Sequence, residues 1–243
     1  MTLKKLFARI FKKLFKWFLW AFLFSNVYLV MCKWVMPPVT LTQLGSLFSG
    51  YGLKRDYVTA EEMAPSAKLA AMASEDQLFP DHNGFDWKSI QKSLEKNAKK
   101  NKKVAGAGAS TISQQVAKNV FLWQGSGIGK YLRKIPEAYY TLMIEWVWGK
   151  ARILEVYLNI AEMGPGIYGI EAASQAYFNK PASSLSRVEA AMIIASLPNP
   201  KIYTVKPMSR WVKWKYPRIV QQINNIENDP DVEKLVYLKA AKK

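Results

Sequence analysis

The stretch PEAYYTLMIEWVWGKARILEVYLNIAE, residues 136–162, decides the fold. Pro136 stands where a first helical turn tolerates it, an apolar run follows to Trp148, and Gly149 interrupts. Beyond the glycine, Ile153, Leu154, Tyr157, Leu158 and Ala161 recur at helical spacings, giving a helix with one buried face. Outward from there, the same period predicts helices over 66–76, 88–100, 111–121, 170–177 and 188–197. Thr59-x-x-Glu62 and Ser186-x-x-Glu189 read as capping boxes. Nowhere do Val, Ile and Thr alternate with polar residues long enough for a strand, and no internal repeat is visible. The expectation is an all-α fold.

The chain has 243 residues, half of them hydrophobic, with 35 Lys and Arg against 18 Asp and Glu. The net charge is +17, and Lys4, Lys5, Arg9, Lys12, Lys13 and Lys16 carry six of those positives, leaving +11 for the remainder. Such an excess favours anionic partners: lipid headgroups, phosphorylated substrates or nucleic acid. After this basic flank (residues 1–16), residues 17–36 carry no charge but Lys33 and predict a membrane-spanning helix, ~30 Å long at 1.5 Å per residue. Trp17, Trp20, Tyr28 and Trp34 suit the two interfacial belts. The run is long for a signal peptide, and no small-x-small cleavage site precedes Pro37. Positive charge stays cytoplasmic, which sends residues 37–243 across the bilayer. The single Cys32 lies in the span, so the exported part forms no disulfide. Residues 37–58, with Pro37, Pro38, Gly45, Gly50 and Gly52, read as an irregular linker, and 59–243 as one domain.

Three polar blocks carry the chemistry. In the first, Glu75 stands near a helix C-terminus beside Leu78 and Phe79, a desolvated position suited to a general base. Asp76 follows it, and His82, the only histidine, has no companion for a metal site. In the second, Gly106 and Gly108 permit close backbone approach, and Thr111-x-x-Gln114 opens a helix whose free N–H groups suit an anion. Gln115 and Lys118 follow on that helix. In the third, Arg133 and Glu137 are spaced to pair across a turn, unless Pro136 breaks the geometry. Each block alone also has an ordinary reading: a solvated helix-end acid, a glycine loop before an amphipathic helix, a surface ion pair. Together they supply what transfer from a sugar diphosphate needs. Glu75 deprotonates an acceptor hydroxyl; Lys118 and Arg133 neutralise the departing diphosphate. No cofactor is required, and a divalent cation (magnesium or manganese) near Glu137 is an optional aid. The lysine run from Lys92 to Lys103 reads as solvated surface or as a flap that meets anionic lipid. Phe121, Leu122, Trp123, Ile128 and Tyr131, interleaved with Lys130 and Arg133, read either as core or as a patch that dips into the interface.

At these residues the sequence resembles the monofunctional biosynthetic peptidoglycan transglycosylases of glycosyltransferase family 51, a module also similar to the N-terminal half of bifunctional penicillin-binding proteins. The family's patterns match Glu75, Asp76, Phe79, His82 and Gly84; then Gly108 to Gln115, with Ser113 in place of a threonine; then Arg133, Lys134 and Glu137. Lys150, Ile153, Leu154, Glu155, Tyr157, Leu158 and Asn159 match a fourth, and Ala172, Ala173, Tyr177, Phe178 and Lys180 a fifth. The likeness covers about residues 60–200, and no transpeptidase motif follows, so it implies the monofunctional form. It also implies a lysozyme-like helical fold with a smaller membrane-proximal jaw. The substrate it implies is lipid II, a disaccharide-pentapeptide on undecaprenyl diphosphate. By the resemblance, Glu75 activates the acceptor's 4-hydroxyl, the donor's anomeric carbon inverts to a β-1,4 linkage, and undecaprenyl diphosphate leaves. Glu137 is the second family acid. Asp76, Phe79, His82, Ser110, Thr111, Gln114, Gln115, Lys118, Arg133 and Lys134 surround the substrate, while Lys150, Glu155 and Asn159 brace loops. The implied partners are lipid II, the growing glycan chain, membrane lipids and cell-wall synthesis or division proteins, with no nucleic acid.

Two rivals stay open. A lytic glycosidase would need a second carboxyl about 5–9.5 Å from the first and no diphosphate cradle. A basic membrane-tethered binder of nucleic acid would rest on net charge alone and show salt-steep binding without turnover.

Overall fold

Caps fix where the helices begin. The computed structural model describes residues 3–99, 110–123 and 128–237. Gly106 and Gly108, with Lys100, Lys102 and Lys103 of the basic run, lie outside the described residues, as do the side chains of Ile128 and Lys130. The chain divides into two units, Met1–Met36 and Pro37–Lys243.

The first unit is one helix, α1 (Leu3–Met31). Its segment Arg9–Met31 has mean hydropathy 1.5 and is long and apolar enough to cross a membrane. Phe11, Trp17, Phe18, Trp20 and Phe24 are exposed along it. The observed helix is displaced from the expected span of 17–36. It takes in most of the basic flank and stops before Cys32, where Trp34 N–H turns back to Met31 O at 3.1 Å. Pro37 and Pro38, which disfavour helical backbone in the residue before them, follow.

The second unit opens with α2 (Leu41–Phe48), where Thr40 and Gln43 form a reciprocal capping box. Then comes β1 (Lys54–Arg55). The expected linker is therefore folded structure belonging to the same unit as the rest. A short 3₁₀ turn, Ala60–Glu62, leads into α3 (Pro65–Glu75), α4 (Trp87–Lys99), α5 (Ile112–Phe121), α6 (Ile128–Leu132), α7 (Lys134–Val147) and α8 (Lys150–Ile160). After β2 (Glu162–Gly164) and β3 (Ile167–Tyr168) come α9 (Ile170–Phe178), α10 (Arg187–Ala195), α11 (Arg210–Ile226) and α12 (Pro230–Tyr237). Helices dominate, as expected. The addition is a three-stranded sheet in the order β1-β3-β2, with β1 parallel and β2 antiparallel to β3.

Helix α3 is the axis. Ala67, Leu69, Ala70, Ala71, Met72 and Ala73 are all buried, as are Ser66 and Lys68, so it is enclosed on every side and packs against α10, α11 and α12. Asn159 on α8, fully buried, ties the incoming chain down: its Oδ1 accepts Val58 N–H at 3.0 Å and its Nδ2 donates to Val58 O at 2.9 Å. Asn159→Leu strands both backbone groups of Val58. We expect a loss of about 2–4 kcal/mol, read as a lower denaturant midpoint at unchanged slope, from the cost of unsatisfied groups. An unchanged midpoint would show that the segment needs no such tie.

Candidate active site

Helix α3 ends because Asp76 leaves helical backbone (φ −163°, ψ 80°). Its buried carboxylate then accepts Ile112 N–H at 2.9 Å and His82 Nε2–H at 2.9 Å. Gly84 N–H donates to His82 Nδ1 at 3.1 Å, which sets the proton on Nε2. His82 is thus a spacer between Asp76 and the turn at Gly84. That turn needs glycine: φ is +89°, and a Cβ there would meet Thr141 Cγ2 at 2.7 Å. Phe79 is fully buried, with Lys150 Nζ 4.4 Å from its ring centre, and Lys150 also bonds Glu145 at 2.7 Å. Asp76, Phe79 and His82 therefore build the floor. Leu78, expected to desolvate Glu75, is instead exposed.

The start of α5 corrects a second expectation. Thr111 accepts Gln114 N–H at 3.1 Å, Gln114 Oε1 accepts Thr111 N–H at 3.1 Å, and Thr111 Oγ1 donates to Gly84 O at 2.7 Å. Both side chains are buried and occupied with the cap. The anion at this helix start is the protein's own Asp76, so Ile112 N–H is not free for a ligand. Ser110, half-buried, remains at the edge of the site.

One residue beyond the cap pair, Gln115 faces the other way. Its Nε2 donates to Glu75 Oε2 at 3.0 Å, and Tyr157 OH donates to its Oε1 at 3.4 Å. Ser74 Oγ donates to Glu75 Oε1 at 3.3 Å. A turn further along α5 lies Lys118, half-buried and without a hydrogen-bond partner among the described residues. Burial, reinforced by the nearby Arg133 charge, pulls its ammonium below the ordinary lysine range; Glu137 opposes this, Lys134 adds to it, and Glu75 opposes it more weakly. These five charged groups therefore converge. Tyr157, fully buried, is pushed well up by burial and by the carboxylates of Glu75 and Asp76.

Arg133 and Glu137 do pair across the turn, Nε to Oε2 at 3.5 Å. Pro136 lies in the first turn of α7, where no intrahelical N–H is missed, and Glu137 N–H still reaches Arg133 O at 2.9 Å. Both side chains are buried, so this is no surface pair: Arg133 also donates to Trp123 O at 2.8 Å, and Lys134 holds Glu137 Oε1 at 2.5 Å. Both oxygens of Glu137 face cations, and no group of three or more His, Cys, Asp or Glu converges among the described residues. The apolar stretch beside it splits: Leu122 is buried and Phe121 stacks on Tyr140 at 4.6 Å, while Trp123 and Tyr131 are exposed.

Two clefts meet at the Glu75–Gln115 bond. The larger, about 670 Å³, is walled by Leu41 and Gly45 of α2, by Ser49 just after it, by Gln115 and Lys118, and by Glu162, Asn199 and Lys201. The smaller, about 430 Å³, holds Glu75, Gln77, Asp86, Ser89, Lys92 and Ser110. Sequence reasoning misses Asp86 and the α2 wall, and Tyr157 enters it only as part of a family pattern. Burial opposes ionisation of Asp86, but the Ser89 hydroxyl and N–H outweigh it and hold the carboxyl below its usual range. It caps α4, accepting Ser89 N–H at 2.9 Å.

A family model described as Transglycosylase matches residues 42–224. The chain is 42% identical over 228 residues to the biosynthetic peptidoglycan transglycosylase of Pseudomonas aeruginosa, covering 90% of this chain and 95% of that one. It is 46% identical to that of Mannheimia succiniciproducens, covering 79% and 76%, and 51% identical to that of Haemophilus influenzae, covering 68% and 67%.

Proposed function

The chain belongs to the transglycosylase family, and from that premise we propose how its two clefts divide the reaction. It is a peptidoglycan glycosyltransferase that polymerises glycan strands. The donor, a saccharide on undecaprenyl diphosphate, lies in the larger cleft with its diphosphate at Lys118. The acceptor, lipid II, lies in the smaller one with its 4-hydroxyl at Glu75. The observation that carries this division is the Glu75–Gln115 bond, which puts a carboxylate in one cleft within a turn of a cation in the other.

Glu75 takes the hydroxyl proton as the acceptor oxygen attacks the donor's anomeric carbon. The bond from that carbon to the phosphate oxygen breaks, its electron pair leaves on the diphosphate, and configuration inverts. Lys118 meets the new charge, and the buried Arg133 sustains a positive field behind it. Glu137 holds Arg133 and Lys134 in place. For the lytic alternative, Asp76 and Glu137 are buried and engaged, so neither serves as the second carboxyl. Incubation with lipid II should yield polymer that lysozyme digests, together with undecaprenyl diphosphate; cleavage of preformed glycan without synthesis would reverse the reading.

Helix α1 anchors the enzyme, with its basic end cytoplasmic and the catalytic unit periplasmic. Exposed Phe48, Trp123 and Tyr131 offer apolar contacts to the bilayer. Tethering raises the concentration of site over membrane-bound substrate. Deleting residues 1–36 should therefore lower the rate on lipid II in vesicles at least about tenfold more than on a soluble short-chain analogue. Equal losses would make the tether incidental.

A further inference from the structure

The segment beyond the larger cleft has no part in the chemistry above, yet its surface is unusual. Residues 190–226 contain Lys201, Lys206, Arg210, Lys213, Lys215 and Arg218 and no acid. Apart from Lys201, 3.9 Å from Glu162, none of these cations pairs with a carboxylate among the described residues. Helix α11 buries Val212, Ile219 and Ile223, which turns Arg210, Trp214 and Arg218 outward at spacings of four. Trp214 is half exposed.

The aromatic rings form a ladder. Tyr203 stacks on Trp211 at 4.8 Å, Trp211 leans on Trp214 at 5.2 Å, and Arg218 covers Trp214 at 4.0 Å. It starts at the cleft, because Tyr203 N–H donates to the backbone O of Asn199 at 2.8 Å, and Asn199 lines the same cleft as Lys118. Trp211 Nε1 is pinned to Ala195 O at 3.0 Å, so the ladder is held by its own backbone and presents its outer ring.

We propose that this strip, Tyr203–Trp211–Trp214 with Arg210, Lys213 and Arg218, binds the glycan strand leaving the larger cleft. The inference rests on the donor reading of that cleft. A polymer held by its diphosphate at Lys118 shares a cleft with Asn199 and Lys201, and the ladder begins on Asn199. Apolar sugar faces lie against the rings, and carboxylates of the attached peptides meet the unpaired cations.

The test uses the full chain in detergent micelles, comparing wild type with Trp214→Ala and with the surface pair Arg210→Gln/Lys213→Gln. The probes are uncross-linked strands bearing peptides, neutral chitin oligosaccharide, and vesicles containing phosphatidylglycerol. We expect Trp214→Ala to weaken both saccharides about tenfold, as loss of an aromatic hot spot does. The Gln pair should weaken only the peptide-bearing strands and flatten their salt dependence. With lipid II, both variants should keep the initial rate and make shorter strands. Unchanged strand binding and length would overturn the proposal, as would loss of vesicle affinity alone, which would make the strip a membrane contact. A wild-type chain that makes no polymer would instead sink the function proposed above, while its strand binding would still judge the ladder.

Discussion

Glu75→Gln should abolish strand synthesis while lipid II still binds. The amide keeps the size and the hydrogen-bonding geometry of the carboxylate, including an oxygen for Gln115 Nε2, now 3.0 Å from Glu75 Oε2. It cannot take a proton. Loss of a positioned general base costs on the order of 10²–10⁴-fold in rate. Lipid II consumption and lipid II affinity, measured side by side, separate the two effects. A near-normal rate would remove Glu75 as the base. Gln115→Ala should cost less, since it loosens the carboxylate without removing it.

Lys118→Ala should lower kcat by about 10²–10³-fold, the scale for deleting one group aimed at developing charge. A charge removed from an exposed site such as Lys234 should leave the rate alone. Lys118 also sets a pH signature. Because burial and Arg133 depress its ammonium, the free enzyme loses that charge at lower pH than ordinary lysine, and kcat/KM falls there on the alkaline side. A bound diphosphate favours the ammonium, so the alkaline limb of kcat lies higher. Lys118→Arg, whose charge does not titrate, should lack this limb. Stability should run the other way. Between the depressed value and the ordinary one the unfolded chain binds more protons than the folded chain, so this residue's contribution to stability rises with pH. Matching alkaline limbs in wild type and Lys118→Arg would deny Lys118 the role.

Much of the scaffold is legible in the residues. Thr111 with Gln114 and Ser186 with Glu189 cap helices where the patterns put them, because a capping box is a local contract between neighbours. Thr59 with Glu62 forms the same box over the short 3₁₀ turn Ala60–Glu62, which ends at Met63 before α3 begins at Pro65. What stays hidden depends on distant partners. Lys54 pairs with Ile167 across more than a hundred residues, and strands of two or three residues show no period. Helix α2 contains Gly45, and α11 contains Pro217, so both read as breaks until packing is seen.

The site divides in the same way. Residue types identify Glu75, Lys118 and Glu137 as chemical groups, but not which way each one faces. Gln114 and Gln115 are adjacent and alike, yet one serves the cap and the other the carboxylate. Their positions on the helix surface, about 100° apart, decide it. Arg133 reads as a diphosphate ligand and proves buried, bonded to Trp123 O and paired with Glu137.

The most direct measurement is a structure of the full chain with a non-cleavable diphosphate donor and an acceptor bound. The account predicts the phosphates at Lys118 Nζ in the larger cleft and the acceptor hydroxyl at Glu75 in the smaller one. Phosphates lodged beside Asp86 and Lys92, with Lys118 untouched, would contradict it.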